Sequence, residues 1–166
     1  GARYCQKQLI SSCDPWSGFY MLDSGFYMSL HFSQFIEKGW AFVDSGCYSD
    51  GKKGGDGHAI VDAVYSYMTA TDTETGDYST VITNTTSEPI QYDLKVSGLD
   101  KALSNVSVWE TRGPDSIGGS YDENYFKKTE DITPTENGGA YTYSVTVKPN
   151  SIVTISTVTP ERTEYK

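Results

Sequence analysis

Apolar residues recur along this chain with two different periods, and the change falls near residue 39. Before it, Gln8-Leu9-Ile10-Ser11-Ser12-Cys13 is a short apolar run stopped by Asp14-Pro15, which predicts a compact strand. From Ser24 to Lys38, Tyr27, Leu30, His31, Gln34 and Phe35 recur at steps of three and four, which predicts a helix. Ser24 is placed to cap its start, and Gly39 to supply the left-handed residue that ends it. Lys38 suits the negative end of the helix dipole. A strand followed by a helix is half of a repeating α/β unit and cannot bury itself alone.

From Trp40 the texture becomes that of strands. Trp40-Ala41-Phe42-Val43 predicts a first strand, and a Gly/Asp/Lys loop runs from Ser45 to Gly57. Alternating or β-branched runs follow at Val64–Ala70, Ser79–Asn84, Ile90–Val96, Val106–Thr111, Tyr141–Val147 and Ile152–Val158. Turn residues separate them, among them Thr75-Gly76-Asp77, Ser87-Glu88-Pro89 and Asn137-Gly138-Gly139. In Tyr141–Val147 the odd positions carry Tyr141, Tyr143, Val145 and Val147, so that face is expected inside. Lys148-Pro149-Asn150-Ser151 is expected to close a hairpin between the last two runs. The whole pattern predicts an all-β sandwich or barrel, with no internal repeat and no low-complexity tail.

Composition narrows the function classes. A length of 166 residues allows one ordinary domain, or a small domain plus a fragment of another. Lys plus Arg number 13 against 22 Asp plus Glu, a net charge of −9. That balance argues against a sequence-independent nucleic-acid binder and against docking on anionic lipid. No stretch approaches the roughly 20 apolar residues of a membrane span. The opening Gly1-Ala2-Arg3-Tyr4 has no signal-peptide pattern and reads as the interior of a longer chain. Aromatic residues make up 13%, and their flat amphipathic faces suit both a sheet and a sugar ring.

Most catalytic signatures are missing. There is no G-x-S-x-G elbow, no phosphate-binding G-x-x-x-x-G-K-[ST] loop and no H-E-x-x-H. His31 lies inside the helix pattern and reads as a packed histidine rather than a base; His58 follows a Gly-rich loop. Asp44, Asp50, Asp56 and Asp62 lack EF-hand order and read as a solvated acidic loop. Cys5, Cys13 and Cys47 form no C-x-x-C; an odd count leaves at least one thiol unpaired or paired outside this chain, and a Cys5–Cys13 or Cys13–Cys47 bridge is allowed but not required. No metal and no cofactor are expected. Two N-x-[ST] triplets occur, at Asn84-Thr85-Thr86 and Asn105-Val106-Ser107, and they matter only if the source is eukaryotic and the chain is secreted.

One cluster carries more information. Asp14-Pro15-Trp16-Ser17-Gly18-Phe19-Tyr20 follows a short apolar strand and precedes a helix. In a (β/α)8 barrel that position is the strand's C-terminal mouth, where substrates bind. A carboxylate and an indole presented together suit a sugar: Asp14 accepts hydroxyl hydrogen bonds and Trp16 stacks on the apolar C–H face of the ring. Spacing alone does not separate that role from Trp16 plugging a barrel end.

This cluster, with Ser29-Leu30-His31-Phe32-Ser33-Gln34-Phe35 and Lys38-Gly39-Trp40, resembles glycoside hydrolase family 59, the galactocerebrosidase family. Val108-Trp109-Glu110-Thr111, Asn124-Tyr125-Phe126-Lys127 and Ser151–Thr157 are also similar, and family 30 shares the general pattern. The resemblance implies residues 1–39 as the final strand–helix unit of a (β/α)8 barrel and residues 40–166 as a β-sandwich of antiparallel strands. It implies a retaining enzyme acting on β-galactosides, secreted or, in an animal, lysosomal. Such enzymes use two glutamates about 5–5.5 Å apart, on the fourth and seventh barrel strands, neither of which lies in this chain. No catalytic residue is therefore assigned. Trp16 matches the family's galactose-contacting tryptophan, Asp14 stands where the family often has Glu, and Ser17 adjoins them; these three are the substrate-binding candidates. The family's substrate-directed arginine has no counterpart around Tyr121-Asp122-Glu123-Asn124. The implied partners are a β-galactoside and a second polypeptide or missing segment carrying the rest of the barrel.

A different reading is a non-catalytic carbohydrate-binding sandwich with residues 1–39 as a packed extension and Trp109 as its platform. On either reading the helix face Phe26, Tyr27, Leu30 and Phe35 must be covered, because an exposed face of that size would aggregate.

Overall fold

The computed structural model describes residues 9–12, 15–49, 52–53, 60–61, 65–98, 101, 104–113 and 124–165. Two short strands, β1 (Ile10–Ser11) and β2 (Met21–Leu22), lead into one helix, α1 (Ser24–Ser33). Strands follow as β3 (Ala41–Phe42), β4 (Tyr48–Ser49), β5 (Lys52–Lys53), β6 (Ile60–Val61), β7 (Tyr65–Thr71), β8 (Tyr78–Asn84) and β9 (Ile90–Val96). The rest are β10 (Val106–Arg112), β11 (Lys127–Ile132), β12 (Thr135–Asn137), β13 (Ala140–Val147) and β14 (Ser151–Ser156).

These strands make a sandwich of antiparallel sheets. The large sheet has the order β11-β10-β14-β8-β7-β3, with β4 also on β7; the small one is β12-β13-β9. Alternation decides which side chains meet between them. Tyr78 and Ile82 of β8, Val106 and Val108 of β10, and Val153 and Ile155 of β14 pack against Tyr143, Val145 and Val147 of β13. The expected inward face of β13 is thus in place from Tyr143 onward, while Tyr141 is only half-buried.

The large sheet is buried on its other face too, by α1. Leu30 and Phe35 pack on Trp109 and Phe126, with Phe26, Tyr27, Val158 and Tyr165 around them. Every residue of β14 is consequently buried, since odd positions face the small sheet and even positions face the helix. The expectation that Phe26, Tyr27, Leu30 and Phe35 must be covered is met by this chain's own sandwich.

Several boundaries differ from the pattern reading. The helix stops at Ser33, not Lys38; just past its end the Ile36 N–H reaches the Phe32 carbonyl at 2.9 Å, and the Phe35 carbonyl accepts the Ser79 hydroxyl at 2.7 Å. Gly39 still adopts a left-handed φ of 102°, in the turn beyond. The N-cap is Asp23, without a side-chain cap bond, rather than Ser24. The first strand is shorter than Gln8–Cys13 and pairs with β2, which its two-residue length hid. Part of the Ser45–Gly57 loop is strand, in β4 and β5.

The largest difference is the expected hairpin. β13 and β14 do not pair; they lie in opposite sheets, and Lys148-Pro149-Asn150 carries the chain across the sandwich. The reason lies in the polar end of the core. Asn84 projects from the end of β8, and its Nδ2 donates to the carbonyls of Val147 at 3.0 Å and Lys148 at 3.1 Å, which a hairpin would have turned toward a partner strand. Ser151 Oγ donates to the Lys148 carbonyl at 2.7 Å, and Asn150 takes a left-handed φ of 50°, which asparagine tolerates better than most residues.

Candidate functional site

The segment carrying the sugar-binding candidates is an antiparallel hairpin projecting from the packed body. Ile10 pairs with Leu22 and Ser11 with Met21. Between them Pro15–Ser17 forms one 3-10 turn. Gly18 follows at φ 74°, a conformation that side chains beyond glycine strain to adopt. Ser17 Oγ accepts the Phe19 N–H at 3.1 Å, and Ser12 Oγ donates to the Phe19 carbonyl at 2.7 Å. Ser17 therefore helps to close the turn that presents Trp16.

Trp16 is 88% exposed. Leu9, Ile10, Phe19, Tyr20 and Met21 are also exposed, so the hairpin presents an apolar surface that the described residues leave open. Asp14, Cys5, Cys13 and His58 lie outside the described residues, as do Asp50, Asp56 and Asp62. At the hairpin base, Ile10, Tyr20, Leu22, Phe26, Arg162 and Tyr165 line an open groove of about 440 Å³. The groove is fixed to the body by aromatic contacts: Phe26 meets Tyr165 at 5.3 Å, and the Arg162 guanidinium lies 5.0 Å over the Tyr165 ring. Asp23, which joins the hairpin to α1, donates its N–H to the Leu9 carbonyl at 3.0 Å. Its Oδ2 is buried with no hydrogen-bond partner among the described residues.

His31 is fully buried in the joint between helix and sheet. Nδ1 lies 2.8 Å from Thr154 Oγ1, and Nε2 lies 2.8 Å from Thr111 Oγ1. Thr154 Oγ1 donates to the His31 carbonyl, so it accepts from Nδ1–H; Thr111 Oγ1 accepts the Phe126 N–H and donates to Nε2. The network assigns a neutral imidazole, and burial lowers its pKa to about 3. His31 is thus the packed histidine that its position suggested, with both ring nitrogens used.

Two groups that sequence reasoning passed over stand out. Glu110 is buried, and accepts from Arg112 Nε at 3.0 Å and Lys148 Nζ at 3.3 Å. Arg112 and Asn124 share the Gly113 carbonyl, so the nearest described arginine to the expected substrate-directed one is tied down beside Glu110. Only the i, i+2 charge pair Glu110/Arg112 signalled this in the sequence. The second group is a cleft of about 410 Å³ between the sheets, lined by Tyr67, Tyr78, Tyr92, Thr69, Thr80 and Leu94 among others. Burial and the nearby Tyr143 hydroxyl push the Tyr78 phenol well above its usual range. Trp109, by contrast, is 5% exposed; it packs on Phe35 and Phe126 and donates Nε1–H to Ser107 Oγ, so it offers no face to a sugar. Cys47 holds its thiol 3.8 Å from the Thr69 carbonyl and is not in a disulfide. No described helix is long and apolar enough to cross a membrane.

No protein-family model matches the chain. Over 165 residues, 96% of its length, it is 24% identical to galactocerebrosidase of Mus musculus and likewise to that of Homo sapiens. The match occupies 23% of each relative, so the chain spans less than a quarter of their length. Among solved structures it is similar to a GH30 endoxylanase from Clostridium papyrosolvens C71, with a TM-score of 0.52 and 16% identity over 81% of this chain and 28% of that one. A glycoside hydrolase family 30 subfamily 8 xylanase from Clostridium acetobutylicum gives 0.51 and 17% over 82% and 28%. The chain is galactocerebrosidase-like in sequence along nearly its whole length. Its fold, a β-sandwich preceded by a short strand pair and a helix, is similar to that found within glycoside hydrolases of family 30.

Proposed function

We propose that this chain is the C-terminal segment of a retaining glycoside hydrolase acting on β-galactosides. Residues 1–39 supply the last strand–helix unit of its (β/α)8 barrel, and residues 40–166 brace that barrel. The observation that carries the reading is the exposed hairpin. A body packed on both faces of its main sheet holds out an indole that is 88% exposed, amid further uncovered apolar side chains. The galactocerebrosidase likeness supports a sugar as what Trp16 meets, and a longer chain as what covers its neighbours. The buried, unpartnered Asp23 Oδ2 points the same way, toward a donor from outside the described residues.

In this reading the two catalytic carboxylates come from the remainder of the barrel. One acts as nucleophile and the other as acid and then base, at the short separation of a retaining pair. The present chain binds and orients. Trp16 stacks on the C–H face of the galactose ring, Asp14 accepts hydrogen bonds from its hydroxyls, and Ser17 holds the turn that aims the indole. The protein works outside the cell or, in an animal, in the lysosome. The test is an assay on β-galactosides of this chain alone and joined to the barrel-bearing segment. Activity is expected only in the joined form and is lost in Trp16→Ala; hydrolysis by the isolated chain contradicts the proposal.

The tyrosine-lined cleft between the sheets favours a second reading, a carbohydrate-binding sandwich without catalysis. Titration with galactans distinguishes the two. Binding lost in Tyr67→Ala and kept in Trp16→Ala supports the cleft; the opposite pattern supports the hairpin.

A further inference from the structure

The two glycosylation triplets have opposite fates in the fold. Asn84 is fully buried at the end of β8. Its Nδ2 carries two hydrogens and is shared by three carbonyls, Glu88 at 2.8 Å, Val147 at 3.0 Å and Lys148 at 3.1 Å. Its Oδ1 accepts both the N–H of Thr86 at 2.9 Å and the Thr86 hydroxyl at 2.7 Å. Every polar position of this side chain is used to hold the crossing between the two sheets. A glycan would replace one Nδ2 hydrogen with a sugar carbon and would need space where the β13–β14 crossing runs. Asn105 is the reverse case. It is exposed, immediately before the buried Val106 that begins β10.

We infer that Asn105 is an N-glycan acceptor of this chain and that Asn84 is a triplet closed by the fold. The reaction is transfer of an oligosaccharide from a lipid-linked pyrophosphate donor. The bond from the sugar's C1 to the pyrophosphate oxygen breaks, and a bond from C1 to Asn105 Nδ2 forms. The lipid pyrophosphate leaves, and the displaced Nδ2 proton goes to a base of the transferase. The transferase acts on chain that has not yet folded, so both triplets meet it. What differs is the consequence: a chain modified at Asn105 folds, and a chain modified at Asn84 cannot seat Val147 and Lys148. The position also leaves the hairpin clear. Asn105 precedes one end of β10, while Tyr125, which packs on Tyr27 of the helix, and Asn124, bonded to Gly113, lie at the other. Seven strand residues separate the ends, roughly 23 Å. The inference rests on the secreted or lysosomal placement proposed above, in a eukaryotic source; it does not depend on which sugar the hairpin meets.

The experiment is secretion from a eukaryotic cell of the chain joined to its barrel-bearing segment and, separately, of the 166 residues behind a leader. Soluble secreted protein is treated with a peptide N-glycosidase in heavy-oxygen water, and its peptides are read by mass spectrometry. The expected result is the labelled Asn-to-Asp change at 105 and none at 84, with the glycan-dependent gel shift at this triplet removed by Asn105→Gln. Glycan at Asn84 is expected only in the fraction retained inside the cell. Occupied Asn84 in soluble secreted protein, or unmodified Asn105 there, overturns the inference.

Discussion

The outer face of the large sheet and the N-terminal hairpin are both rich in aromatic and aliphatic side chains, yet one is covered and the other open. Over the sheet, Phe35, Trp109 and Phe126 form a closed aromatic cluster with ring centroids 5.1 to 6.0 Å apart, and His31 beside it has both nitrogens satisfied. On the hairpin, Trp16, Phe19 and Tyr20 are exposed and join no such cluster among the described residues, where Asp23 also keeps a buried oxygen unpaired. The difference teaches that aromatic content says little until each ring is placed. Trp109 and Trp16 have the same chemistry, but burial makes the first a structural residue and leaves the second available for stacking.

The contrast can be broken at its strong end first. Trp109→Ala removes a buried indole from the helix–sheet joint and should cost about 3–5 kcal/mol, read as a lowered midpoint in chemical denaturation. Glu110→Ala comes next. It removes the carboxylate paired with the largely buried Arg112 guanidinium, and a loss of about 3 kcal/mol is expected by the same measurement. If Glu110→Ala is neutral, the triad with Arg112 and Lys148 is a surface feature and not part of the body.

A third test uses pH. The folded pKa of His31, about 3, lies below its unfolded value near 6.5. The unfolded chain therefore binds the extra proton first, so the contribution of neutral His31 is complete above pH 6.5 and is lost as pH falls toward 3. Stability should decline there with a slope approaching about 1.4 kcal/mol per pH unit from this residue. Following the unfolding midpoint against pH in wild type and His31→Gln checks this; equal slopes would mean that the imidazole is not buried neutral. The smallest effect belongs to the hairpin. Trp16→Ala should change the stability of this chain by less than about 0.5 kcal/mol, even though it removes the proposed sugar contact.

Much of the body was legible because its strands obey simple alternation. Val106, Val108, Val145 and Val147 point inward as their spacing requires, and the periodicity of Leu30 and Phe35 marked the covered face of α1. What escaped were features set by contacts distant in sequence. Ser79 anchors the Phe35 carbonyl, just past the helix end, from 44 residues away, and Asn84 directs the β13–β14 crossing from 63 residues away. β11 escaped for a different reason. Lys127–Ile132 is an edge strand with charged, mostly exposed positions, which protects the edge but erases the hydrophobic pattern. In the candidate site, the Pro-Trp-Ser-Gly order located the presented indole. That local order did not show that Trp109 is closed off, because burial depends on what the rest of the fold brings to each ring.

Radical footprinting of the hairpin tests the central claim most directly. Labelling of Leu9, Ile10, Phe19, Tyr20 and Met21 is measured by mass spectrometry in the 166-residue chain and in the chain joined to its barrel-bearing segment. The account predicts strong labelling in the first and protection in the second, with Trp16 still labelled until galactose is added. Equal labelling of the hairpin in both forms, with Trp16 indifferent to galactose, would contradict it.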